Sequence, residues 1–223
     1  MDYPLTEDHR AAFATDGYVR LPGFLTEAEL APLEAMYEAF LRAVIDVPGR
    51  DFCDMASTYG EGGAEQRRRA AEGFAVFNVM LPRRYHAPMR DNVYEQRAAI
   101  VARALCGPDM TLDYDQLVAK RPEREDAVFH WHQDLAYWPP TADTRTATFW
   151  LALDETARDN GCVRFVAGSH REPKLRAHAP LHGDRDSSHS MVASVDETRD
   201  TIQDAVLRRG DVTVHHERTV HGS

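Results

Sequence analysis

His132 and Asp134 stand two residues apart in the run Phe129-His130-Trp131-His132-Gln133-Asp134. On an extended strand, residues at that spacing face the same side, so one imidazole nitrogen and one carboxylate oxygen reach a single ion. A third ligand must come from elsewhere, and His221 is available after the β-like run 211–216. Two histidines and a carboxylate on one face of an octahedron leave three positions open. That arrangement suits iron(II), Fe(II), with the open positions free for a chelating cosubstrate and dioxygen, O2. Spacing alone leaves rivals. His130 shares the face of His132 and Asp134 on a regular strand, and His215 and His216 compete with His221. With 11 histidines in the chain, a third imidazole is easily found by chance.

The elements that must position these residues read in two halves. Residues 6–15 form a short helix ended by Gly17, and Tyr18–Leu21 follows as a brief strand. Thr26 and Glu29 make a capping box before Leu30, Leu33, Tyr37, Phe40, Leu41 and Val44, whose spacing predicts an amphipathic helix closed by Pro48-Gly49. Residues 51–73, Gly-rich at Tyr59-Gly-Glu-Gly-Gly-Ala, read as a mobile loop leading into a charged helix. Arg67, Arg68 and Arg69 on that helix form a solvated face rather than an anion site. Phe74 to Met80 is β-prone, and 91–105 predicts a helix burying Val93, Ile100, Val101, Ala104 and Leu105, with Gly107-Pro108 as its stop.

After Pro108 short β-like runs follow one another at 111–119, 126–132, 145–153, 161–167 and 211–216. Thr146, Thr148 and Trp150 alternate with Ala147, Phe149 and Leu151, the period of a sheet with two different faces. Several short strands with turn signals between them predict a sandwich or jelly roll, with residues 182–200 as a long polar loop or lid. The expectation is an all-β core with flanking helices in one domain spanning 1–223. Its first part, 1–108, is mostly helical, and 109–223 carries the β core.

Composition excludes several classes. A hydrophobic fraction of 43% and a charged fraction of 28% describe a folded soluble chain rather than a disordered one. The formal net charge of −10 argues against a nucleic-acid binder. No run approaches the roughly 18 apolar residues of a membrane span, and MDYPLTEDHR is no secretory signal. The expected setting is cytoplasmic, the expected partner a small-molecule substrate. Cys53, Cys106 and Cys162 have no CxxC pairing and read as reduced thiols, Cys162 as a small buried hydrophobe.

The runs Asp115-Gln-Leu-Val-Ala-Lys-Arg-Pro, His130-Trp-His-Gln-Asp, Phe149-Trp-Leu-Ala-Leu-Asp, Asn160-Gly-Cys-Val-Arg-Phe-Val-Ala-Gly-Ser-His and Gly210-Asp-Val-Thr-Val-His-His, closing on His221-Gly-Ser, occur in order. With the opening Asp16-Gly-Tyr-Val-Arg-Leu-Pro-Gly-Phe-Leu, they resemble the phytanoyl-CoA dioxygenase-like family of Fe(II)/2-oxoglutarate-dependent oxygenases. The resemblance implies a double-stranded β-helix, a cupin-like jelly roll braced by helices. It implies His132, Asp134 and His221 as the metal ligands, leaving His130, His215 and His216 as neighbours. It implies that Gln116 and Trp150 line the 2-oxoglutarate pocket, that Ser223 lies near the distal carboxylate, and that Asn78 meets the cosubstrate's other end. It also implies hydroxylation of an unactivated C–H with release of succinate and CO2, since an Asp at 134 leaves no room for a halide on iron.

The family pattern places a basic residue, usually Arg, about a dozen positions after the distal His, whereas this chain stops at Ser223. The expectation is therefore a C-terminally truncated jelly roll lacking its last strand, or a substitute among Lys120, Arg121 and Arg164. Two other classes use the same ligands differently. One is a cupin-like metal-dependent isomerase or hydrolase that ignores 2-oxoglutarate; the other is a non-catalytic binding protein on the same scaffold. The polar loops favour a polar small molecule over a long acyl chain.

Overall fold

A computed structural model describes residues 3–59, 65–139 and 141–223; the Gly-rich stretch 60–64 lies outside the described residues. The opening follows the local signals. Helix α1 (Glu7–Asp16) begins where the Thr6 hydroxyl accepts the His9 N–H, ends at Gly17, and leads into β1 (Tyr18–Leu21). Helix α2 (Glu27–Leu41) begins where Thr26 and Glu29 cap one another, and buries Leu30, Leu33 and Phe40. It stops short of Pro48. The Val44 and Ile45 amides both reach back to the Ala39 carbonyl, which unwinds the last turn and leaves Val44 76% exposed.

The segment expected as loop contains a buried strand, β2 (Phe52–Asp54), before α3 (Glu65–Glu72) and β3 (Val76–Met80). The arginine run is not a simple solvated face. Arg67 pairs with Asp46 and Arg68 with Glu65 and Glu72, while Arg69 turns inward to Glu65 and the buried Asp54. Asp54 has a reason to be there: its carboxylate accepts the Ala75 and Val76 amides at 3.0 Å each. Helix α4 (Val93–Cys106) is capped by Asn92 and fully buries only Val101. Ile100 is 39% exposed and Ala104 is exposed, because the covered stripe is narrower than the apolar spacing suggested.

The remaining strands are β4 (Gln116–Lys120), β5 (Thr148–Leu151), β6 (Arg164–Val166), β7 (His178–Pro180), β8 (Met191–Ala193), β9 (Ile202–Asp204), β10 (Val212–His215) and β11 (His221–Gly222). They form small antiparallel sheets in the orders β1-β10-β5, β11-β6-β9, β2-β3-β4 and β7-β8. Two expectations fail here. Residues 126–132 form no strand, only a bridge at His132, and the polar stretch 182–200 contains β8. Strands from the helical half enter the sheets of the second half, β1 beside β10 and β3 beside β4.

The two faces of the first sheet differ as the alternation required. Val212, Val214, Phe149 and Leu151 pack with Phe13, Leu30 and Val101 under the helices. Trp150 faces the other way, toward Tyr18 and Phe165, whose rings stack at 4.2 Å. No helix among the described residues is long and apolar enough to cross a membrane.

Gly210, just before β10, has φ +87°, and an added Cβ would run into the Leu25 carbonyl oxygen. Gly23 has φ +62° with open space around it. Gly23→Ala should cost about 1 kcal/mol from the left-handed backbone alone. Gly210→Ala should cost more than ~2 kcal/mol, since strain and a backbone collision add. Urea unfolding of the two variants checks this; equal losses would show that the strand entry relaxes freely.

Candidate metal centre

Backbone pairing brings the two histidines together. His132 N–H donates to the His221 carbonyl at 2.8 Å and His221 N–H to the His132 carbonyl at 2.9 Å. The Phe129 and Ser223 backbones repeat the exchange at 2.9 and 2.8 Å. Gly222 lies between these pairs, where a Cβ would be 3.0 Å from the Phe129 oxygen and 3.1 Å from the Trp131 nitrogen. The close approach of the two segments therefore needs glycine. On its far side β11 pairs with β6, His221 opposite Phe165.

Asp134 does not sit on a strand with His132, as the two-residue spacing had suggested. It opens the 3-10 turn Asp134–Ala136. Gln133, fully buried, clamps the backbone between them by accepting the Arg176 N–H at 2.9 Å and donating to the Arg218 carbonyl at 2.6 Å. The turn brings the Asp134 Oδ1 to 3.5 Å from both His132 Nε2 and His221 Nε2. One donor atom from each of the three residues lies within 4.8 Å of the others, and this is the only such cluster among the described residues.

The donor set fits a divalent metal for reasons visible in its hydrogen bonds. His132 Nδ1 is 2.7 Å from the His130 carbonyl and His221 Nδ1 is 2.9 Å from the Thr219 carbonyl. A carbonyl only accepts, so both Nδ1 atoms carry the proton and both Nε2 lone pairs point at the shared centre. Burial, reinforced by His132 and His215 nearby, lowers the His221 pKa well below the usual histidine range and keeps its ring neutral. Burial alone would raise Asp134; the imidazoles packed around it, His221 first and then His132 and His215, outweigh it and hold the carboxyl well below its ordinary value.

A second carboxylate face is fixed from behind. Asp134 Oδ2 accepts from Thr148 Oγ1 at 2.9 Å and lies 3.2 Å from His215 Nε2. The sheet register explains this, since β10 and β5 set His215 directly across from Thr148. His215 is therefore tied to the ligand rather than to the metal position, although its Nδ1 finds no hydrogen-bond partner among the described residues. His130 contributes its carbonyl, and His216 accepts the Arg218 N–H at 3.1 Å, away from the cluster.

A cleft of about 110 Å³ opens over His132 and Asp134, walled by Tyr114, Phe129, Tyr137 and Trp138. Gln116 lines it and donates to the Asn78 side chain, which is fully buried behind it and also bonds Cys53 Sγ at 3.3 Å. Trp150 and Ser223 do not line the cleft: Trp150 packs on the Tyr18–Phe165 cluster, and Ser223 is backbone-paired to Phe129. Of the basic residues considered, Arg164 pairs with Asp204 and Glu197, and Arg121 lies over the Phe74 ring. Lys120 is half-buried, and burial lowers its pKa to about 8. The sequence reading missed Thr148 and His215 as partners of Asp134, and missed the aromatic wall. The Thr146-x-Thr148-x-Trp150 alternation and the Tyr137-Trp138 pair after the turn were the available signals.

A cluster of two histidines and one carboxylate beside an open cleft fits the mononuclear metal enzymes. The chain belongs to the phytanoyl-CoA dioxygenase (PhyH) family, whose model matches residues 13–223. It is 26% identical over 219 residues to a probable alpha-ketoglutarate-dependent hypophosphite dioxygenase of Stutzerimonas stutzeri, covering 97% of this chain and 72% of that protein. To peroxisomal phytanoyl-CoA dioxygenase of Rattus norvegicus it is 20% identical, covering 98% of this chain and 63% of the relative. Its fold matches EvdO2 from Micromonospora carbonacea var. aurantiaca complexed with 2-oxoglutarate, with TM-score 0.71, 26% identity and coverage of 98% and 83%. It also matches the epimerase SnoN in complex with Fe3+, alpha ketoglutarate and nogalamycin RO, with TM-score 0.69, 27% identity and coverage of 97% and 75%.

Replacing either imidazole would take one donor from the cluster, whereas replacing His215 would only free Asp134 to turn. Titration with cobalt(II), followed by its visible spectrum, should show no tight binding to His132→Ala or His221→Ala. His215→Ala should bind roughly ten- to a hundredfold more weakly than the parent. Unchanged affinity in His215→Ala would show that Thr148 alone suffices to hold the carboxylate.

Proposed function

We propose that the protein is a non-haem iron(II)- and 2-oxoglutarate-dependent oxygenase that hydroxylates an unactivated C–H bond of a small molecule in the cytoplasm, releasing succinate and CO2. The observation that carries this reading is the pair of Nδ1–H donors to the His130 and Thr219 carbonyls, which aims both Nε2 atoms and Asp134 Oδ1 at one point. Family membership and the 2-oxoglutarate bound in the EvdO2 structure support it.

Bound iron with 2-oxoglutarate would supply the oxidising power for the reaction with dioxygen. The chain's own residues do the rest. His132, Asp134 and His221 hold the metal, and Thr148 and His215 keep the second carboxylate oxygen of Asp134 occupied so that the first faces it. Gln116, with Asn78 behind it, is assigned to the cosubstrate; Trp150 and Ser223, expected beside it, lie off the cleft. Tyr114, Phe129, Tyr137 and Trp138 exclude water from the reacting face. We read the β1-β10-β5 and β11-β6-β9 sheets as the two sides of a jelly roll within a single domain, a reading supported by the Tyr18–Phe165 stack between them.

Protein prepared without oxygen, given iron(II) and then 2-oxoglutarate, should develop a weak visible metal-to-ligand charge-transfer band. His132→Ala should not. Iron binding without the band in the parent would refute cosubstrate chelation at this cluster.

A further inference from the structure

The cleft over the metal centre carries one permanent positive charge. Arg185 lies on the loop between β7 and β8 and lines the cleft with His189. Its guanidinium sits over the Tyr137 ring, 5.1 Å from the centroid, and one Nη1–H donates to the His189 carbonyl at 2.6 Å. A guanidinium has five N–H donors in a planar fork, so most of this one is uncommitted. The neighbouring carboxylates are engaged elsewhere: Asp184 accepts from the Ser187 amide and hydroxyl, and Asp186 lies 3.8 Å from Arg50. Among the described residues, no carboxylate forms an ion pair with Arg185.

The surroundings narrow what such a cation would hold. Asp134 is the one acidic side chain lining the cleft, and its oxygens are directed to His215, Thr148 and the metal position. His189 adds no charge near neutral pH, since burial, with Arg185 beside it, lowers its pKa to about 4. Its Nδ1 is instead 3.2 Å from the Tyr59 hydroxyl. The walls are flat and apolar, with Tyr114 and Trp138 edge to face at 5.1 Å. Such walls favour a planar apolar body, and a guanidinium fork favours a carboxylate or similar oxyanion bidentately.

We infer that Arg185 anchors the anionic group of the substrate, and that the cleft takes a small molecule with one carboxylate or like oxyanion on a flat apolar body. The inference rests on the oxygenase reading for the fate of that molecule, and not for its binding. The carboxylate of 2-oxoglutarate has the same chemistry, so the test separates the two sources.

Benzoate and its neutral isostere benzamide serve as probes, titrated against the metal-free protein by tryptophan fluorescence, with Trp138 in the cleft as reporter. Arg185 is exposed, so its replacement removes no core contact, and circular dichroism confirms the fold of each variant. The parent should bind benzoate at least about tenfold more tightly than benzamide. Arg185→Gln should erase the preference, and Arg185→Lys should keep part of it. No binding of benzoate, no preference in the parent, or a preference that survives Arg185→Gln would each overturn the inference. The second arm titrates the iron(II)-loaded protein with 2-oxoglutarate without oxygen. An equal midpoint in parent and Arg185→Gln places the anion on the substrate, whereas a weakened midpoint assigns Arg185 to the cosubstrate and overturns the proposal. A parent that shows benzoate preference but no charge-transfer band would refute the oxygenase reading and leave the anion site standing.

Discussion

The site depends on one short piece of backbone pairing, the reciprocal exchange between His132 and His221. Two residues that are distant in sequence are locked side by side through main-chain atoms, so their rings diverge little however the side chains around them vary. Neither histidine is free to choose its tautomer, because each Nδ1 faces the carbonyl two residues before it. Coordination geometry is thus inherited from the sheet rather than assembled from flexible side chains. That is how a protein holds a metal position with little reorganisation when reactants arrive.

The carboxylate is the less constrained partner, and the structure supports it differently. A 3-10 turn, rather than a ladder, carries Asp134, and its orientation comes from three sources: the Gln133 clamp, Thr148 and His215. Burying a carboxylate is costly unless its lone pairs are met, and here Thr148 and His215 meet one oxygen while the other faces the metal position. Nearby Glu217 is the contrasting case. Burial and the charge of Asp134 raise its pKa to about 7, and its Oε1 finds no partner among the described residues. The two carboxyls differ by what surrounds them.

Much of this was legible in the sequence where the signal was local. The Thr26–Glu29 box, the stop at Gly17 and the two-faced run 146–151 concern residues within a turn of one another, and each appears in the structure. Signals that needed a partner failed. Val44 fits the apolar spacing, yet the helix unwinds before reaching it; Ile100 fits its helix and stays 39% exposed, because periodicity shows which face is apolar and not how wide the covering layer is. The run 126–132 looked like a strand but pairs with the chain's last residues only at Phe129 and His132, with Ser223 and His221. The polar stretch after 182 hid β8, since three residues beside β7 leave no composition signature. The three clustered residues were legible as types; their mutual approach was not, because it lies in pairing between distant segments.

The partnership of β1 with β10 has a consequence for how the molecule is born. Residues 18–21 leave the ribosome early and must wait, unpaired on that edge, until 212–215 have been synthesised. The same delay applies to His132, whose partner His221 emerges later still. Local helices form at once, but the sheet that carries the metal position closes only after nearly all of these residues are free of the tunnel. The three donors therefore come together only once the last of these segments is available, so the complete cluster is a property of the finished fold.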